Sequence, residues 1–173
     1  MKVIKIGTRS LTIVCQYGEY KVAQYGQWDG YPSGIGVQIL KFLKCIDYHA
    51  FGKAIENVSF YTEEELDRTY PSNDYGAGIL KKILFDGLKK VRNDILFAAN
   101  SLFCEWAYVI DLSEHTFEVY SGGSRRKLDK NDRFYFLKDA LKDSYNPRSP
   151  IKIVKSYNLY DLPSEEEFIR DLE

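Results

Sequence analysis

"LTIVCQYGEYKVAQY", residues 11–25, decides the fold. Residues 11–16 are rich in β-branched side chains and alternate, which places Leu11, Ile13 and Cys15 on one face of a strand. "YGE" at 17–19 is a short glycine-containing turn, and "YKVAQY" at 20–25 returns as the second strand of a hairpin.

Past residue 36 the period changes. Ile39, Phe42, Leu43 and Ile46 fall at i, i+3, i+4 and i+7, the apolar stripe of an amphipathic helix that packs on the sheet. "YTEEEL" at 61–66 carries a capping box, Thr62 with Glu65, and Tyr61 and Leu66 stand as its hydrophobic staple. Residues 73–90 place Ile79, Leu80, Ile83 and Leu84 on a further helix that Gly87 ends or bends. "CEWAYVIDLSEHTFEVYSGG" at 104–123 reads as a second hairpin, with Trp106 to Leu112 and Phe117 to Tyr120 as strands and "SEHT" as the turn. Residues 132–143 mix aromatic and helical signals and take no assignment. Residues 151–157 alternate as a strand, and 162–172 close with a helix that Ser164 and Glu167 begin. Hairpins separated by helices imply one α+β domain over 1–173, an antiparallel sheet built from two hairpins with helices packed on it.

Composition narrows function by exclusion. Lys and Arg number 24 against 25 Asp and Glu, so the chain lacks the basic excess of a dedicated nucleic-acid binder. Hydrophobic residues make up 45%, enough for a real core in 173 residues. "MKVIKIGTRS" has too short an apolar part for a secretory leader, and no apolar run approaches the ~20 residues that span a bilayer. Cys15, Cys45 and Cys104 lack metal-like or redox-like spacing. The expectation is a cytoplasmic protein with three reduced thiols, no membrane, no metal and no cofactor. The sequence does not set its oligomeric state.

"AQYGQWDGYPSGIG", residues 23–36, holds the candidate site. "YPSG" at 31–34 suits a type I turn, with Pro second and Gly fourth, so part of the stretch is explained by the turn alone. A glycine-rich loop before a helix also leaves backbone N–H groups for an anion, and nearby rings stack bases. The candidate binding residues are Arg9, Gln24, Tyr25, Gln27, Trp28, Asp29, Tyr31 and Gly34. The stretch has neither the Lys of a P-loop nor the third Gly of a dinucleotide fingerprint.

"GTRSLTIV" at 7–14, "GEYKVAQYGQWDGYPSGIG" at 18–36, "EWAYVIDL" and "FEVY" together resemble a family of uncharacterised proteins from bacteriophages, bacteria and filamentous fungi, with "YGQWDGYP" as the most specific part. The resemblance transfers no catalytic residue. It implies a phage accessory protein that acts by binding a host component or signalling molecule.

Other constellations are thin. His115 falls in a hairpin turn. His49 with Cys45 makes one i, i+4 pair where zinc wants four ligands. "SGGSRRK" at 121–127 is a solvated turn or a phosphate grip through Arg125, Arg126 and Lys127. With no nucleophile–base–orienter set to assemble, the expected function is non-catalytic capture, through the 24–36 loop, of a nucleotide-like host molecule or a host protein. The alternative is a small hydrolase with Asp29 as general base, so enzymatic status stays open.

Overall fold

A computed structural model of the chain describes residues 7–71, 75–145 and 148–173. Five strands form the main sheet in the order β2-β1-β5-β6-β7. They are β1 (Ser10–Gln16), β2 (Glu19–Gly26), β5 (Trp106–Asp111), β6 (Thr116–Ser121) and β7 (Lys152–Asn158). β3 (Ser59–Phe60) and β4 (Lys90–Val91) form a separate parallel pair. The helices are α1 (Val37–Cys45), α2 (Tyr48–Glu56), α3 (Glu63–Thr69), α4 (Gly78–Asp86) and α5 (Glu165–Leu172). The fold is α+β. The sheet is mixed, not antiparallel as expected, because β1 and β5 pair in parallel from Ser10↔Trp106 to Cys15↔Asp111. β2 returns the chain to the end where β1 began. The helical excursion then delivers it to that same end, so β5 sets off in the direction of β1.

Each face of the sheet is covered differently. On one face Val14, Val22, Tyr108, Ile110, Phe117 and Val119 meet the apolar stripes of the helices, among them Ile39, Leu43, Phe51, Ile55, Ile79, Leu80 and Phe168. Ile46 packs at the margin of this cluster. On the other face Leu11, Ile13, Cys15, Ala107 and Val109 lie under Ala98, Cys104, Phe134 and Leu137, which come from turns and short 3-10 segments. Each fully buried Leu, Ile or Phe is worth about 1.5–3 kcal/mol.

The local signals have physical counterparts. Thr62 and Glu65 make both halves of their capping box, and Ser164 caps α5 by accepting from the Glu167 N–H. Gly87 ends α4 in the left-handed conformation at φ 69°. Positions 73–74, where that helix was expected to begin, lie outside the described residues. The 132–143 segment is a chain of turns around a short 3-10 helix, Tyr135–Leu137. Among the described residues no helix is long and apolar enough to cross a membrane.

Candidate functional site

The 24–36 loop sits at the start of β1, and its backbone is engaged within the fold. Gly30 N–H donates to Thr8 O at 2.9 Å, Gly34 N–H to Tyr31 O at 2.9 Å and Ile35 N–H to Asp29 O at 2.7 Å. The Ser33 N–H and hydroxyl both donate to the Glu173 carboxylate, each at 2.9 Å. The donors expected to receive an external anion therefore already face the chain's own carbonyls and one of its carboxylates. The glycines are needed for close packing. A Cβ on Gly34 would stand 2.2 Å from Asp29 O, and one on Gly36 would press on Phe168 and Tyr108. The buried Tyr108 hydroxyl donates to Gly30 O at 2.8 Å, tying the loop to β5.

The predicted site residues divide accordingly. Gln24 is buried and its amide donates to Tyr25 O. The Tyr25 hydroxyl donates to Gln27, and its ring meets Phe97 edge-on. Asp29 has φ 55° and accepts from the Tyr31 hydroxyl at 3.0 Å. Trp28 is 59% exposed and lies against the backbone of Gly7. The Arg9 guanidinium stacks on Phe103, 4.7 Å from the ring centre, and its backbone N–H meets Glu105. Arg9 is thus held by the 103–105 segment. Within the loop Trp28, Asp29 and Ser33 are exposed to solvent.

The opposite end of β1 is open. The parallel β1–β5 pairing sets the two hairpin turns side by side. Leu112 N–H donates to Cys15 O at 3.0 Å, and Tyr17 N–H to the Ser113 hydroxyl at 2.7 Å. Leu159 N–H adds a bond to His115 O at 2.9 Å, bringing in the chain that follows β7. α2 closes the side, with Gln16 Nε2 donating to Gly52 O at 3.1 Å. Between these parts lies a cavity of about 370 Å³ whose lining includes Gln16, His49, Lys53, Glu56, His115 and Tyr160.

This cavity collects chemistry that is scattered in the sequence. It holds both histidines of the chain. His49, Gly52, Lys53 and Glu56 share one face of α2 at helical spacing. His49 and Cys45 do not share a helix face: Cys45 ends α1 and lines a separate groove with Phe42 and Phe85. The Tyr160 ring packs edge-on to Tyr48 and 5.1 Å from the His115 ring, with its hydroxyl 3.3 Å from His115 Nδ1. The Tyr48 hydroxyl sits within 3.1 Å of both Leu43 O and Leu159 O, which fixes the inner wall. Tyr17 and His115 adopt left-handed backbone at φ 53° and 57°. Such conformations cost roughly 1–3 kcal/mol each for non-glycine residues and cluster at functional sites. Tyr17 uses its position to donate to Glu56 at 3.3 Å.

Beneath this end, on the other face, lies a buried ion cluster that the sequence did not reveal. Arg133, in the unassigned 132–143 segment, donates to both Glu118 oxygens at 2.8 and 2.9 Å and to Asp111 at 2.9 Å. Glu118 also accepts from Tyr120 and Thr116, and Asp111 from the backbone of Ser113 and Glu114. Every oxygen of the two carboxylates has a partner, so the cluster acts as a clamp. Burial pushes the neighbouring Cys15 thiol up to about 12 despite the opposing pull of Arg133. Burial raises the Cys104 thiol as well.

No family model, no curated protein and no solved structure matches the chain. The functional argument therefore rests on geometry.

Proposed function

We propose that the protein is a non-catalytic binding protein whose ligand seat is the cavity between the two hairpin turns and α2. The observation that carries this reading is the meeting of both histidines, Lys53, Glu56, Gln16 and the Tyr160 ring around one cavity of about 370 Å³. A concave site with a few convergent polar groups is the usual form of a small-molecule seat.

Binding is favoured over catalysis because, among the described residues, the cavity lining holds no primed nucleophile. No cysteine lines it, and Cys15 and Cys104 are buried thiols whose pKa values burial raises. The hydrolase alternative gains no support at Asp29. Its carboxylate accepts from the Tyr31 hydroxyl, and the nearby Ser33 hydroxyl donates to Glu173 instead. The resemblance of the 7–36 block to phage, bacterial and fungal proteins suits capture of a host molecule. A host protein as partner would be met at Trp28, the exposed aromatic of the loop.

The test is incubation with a cellular metabolite pool, re-isolation of the protein, denaturation and mass spectrometry of what is released. Binding predicts a stoichiometric, chemically intact ligand. Continuous disappearance of a pool component with nothing retained would contradict it.

A further inference from the structure

The class of ligand follows from which groups around the cavity are engaged and which are free, on the basis that the cavity is the seat. Among the described residues the His49 ring and the Lys53 ammonium make no hydrogen bond or ion pair, although both line the cavity. Lys53 is a point charge and three donors, the usual partner of a phosphate or carboxylate. Gln16 is 6% exposed, and its Nε2 is fixed by Gly52 O. Its Oε1 has no partner among the described residues, so Gln16 can accept from a ligand, while the second Nε2 hydrogen stays a donor. Glu56 takes the Tyr17 hydroxyl on one oxygen and has a second to offer. Two acceptors call for a donor group on the ligand. Tyr160 is 68% exposed, and its contacts with Tyr48 and His115 hold the ring in place. A held, solvent-facing ring is a stacking platform for a flat ligand.

We infer that the cavity takes a planar ring bearing an exocyclic amine and an anionic arm, the chemistry of an adenine or cytosine nucleoside monophosphate. The ring stacks on Tyr160. The amine donates to Gln16 Oε1 and Glu56. The anionic arm meets Lys53 and His49. The cavity volume of about 370 Å³ accommodates a ligand of this size. The loop at the other end of β1 takes no part, since its donors face the chain itself.

The test is isothermal titration of the full chain with adenosine monophosphate, inosine monophosphate, adenosine and inorganic phosphate. Adenosine monophosphate is expected to bind at least about tenfold more tightly than each of the others, because each lacks at least one of the three recognised features. Lys53→Ala is expected to weaken adenosine monophosphate by about tenfold or more and to leave adenosine unchanged, with an unaltered melting temperature confirming the fold. Equal affinities for adenosine monophosphate and adenosine, or for the adenine and hypoxanthine forms, would overturn the inference. So would a Lys53→Ala protein that binds like wild type. If the metabolite pool yields an intact ligand that adenosine monophosphate does not displace, the ligand class falls and the seat stands. If the pool yields nothing and no probe binds, both fall.

Discussion

The two ends of β1 lie about 20 Å apart, at ~3.3 Å per residue, and they are built to opposite rules. At the Ser10 end, the loop with the more conspicuous sequence is packed by backbone contacts, with Gly34 against Asp29 O and Tyr108 holding Gly30 O. At the Gln16 end, residues with no conspicuous motif enclose a cavity and leave Lys53 and His49 without partners among the described residues. Glycines and turns mark where the chain must pass closely. Free polar groups around a cavity mark where something else can enter.

That contrast breaks first at the clamp beneath the cavity. Arg133→Met leaves Asp111 and Glu118 buried without their cation and is expected to cost about 3–5 kcal/mol in chemical denaturation. A loss below about 1 kcal/mol would mean that the cavity end does not depend on the ion cluster. Next comes Gly34→Ala in the loop, where the new methyl meets Asp29 O. The expected loss is about 1–3 kcal/mol, with ligand capture retained once the protein is folded. Loss of capture with unchanged stability would place binding in the loop after all.

Thiol labelling sharpens the picture with a smaller effect. Cys45 is exposed, whereas Cys15 and Cys104 are buried. One thiol per chain should react quickly with a thiol reagent in the native state, and the other two only on unfolding. Rapid reaction of a second thiol would show that the face carrying Cys15 and the clamp opens readily. The smallest expected effect is that of Asp29→Asn. Asn tolerates the left-handed backbone and keeps an oxygen for Tyr31, so melting temperature and capture should both stay at wild-type values. A loss of capture would revive a role for the Asp29 charge.

Much of the fold was legible because its signals are local. The alternation of 11–16, the stripe of Ile39, Leu43 and Ile46, and the Thr62–Glu65 box each act within a few residues. α2 escaped notice because its nine residues include Gly52 and bury only Phe51 and Ile55, too short a stripe for periodicity to register. The direction of β5 beside β1 was not legible, since the pairing joins residues as distant as Leu11 and Ala107. That one pairing brings the hairpin turns together, so the cavity was hidden with it. The polar face His49, Lys53 and Glu56 would have been the visible clue, had the helix been recognised. The internal engagement of the loop is hidden from the sequence for a similar reason. The loop's glycines were rightly read as turn signals, but the carboxylate that takes the Ser33 donors belongs to Glu173, 140 positions away.

The central claim is that binding resides at the Gln16 end of β1 and not in the loop at the Ser10 end. Trp28→Ala and Tyr160→Ala test it side by side, since each removes a large exposed ring from one end. The measurement is the amount of ligand released on denaturation after incubation with the same metabolite pool. The account predicts wild-type recovery from Trp28→Ala and little or none from Tyr160→Ala, with both proteins folded. Recovery lost in Trp28→Ala and kept in Tyr160→Ala would contradict it.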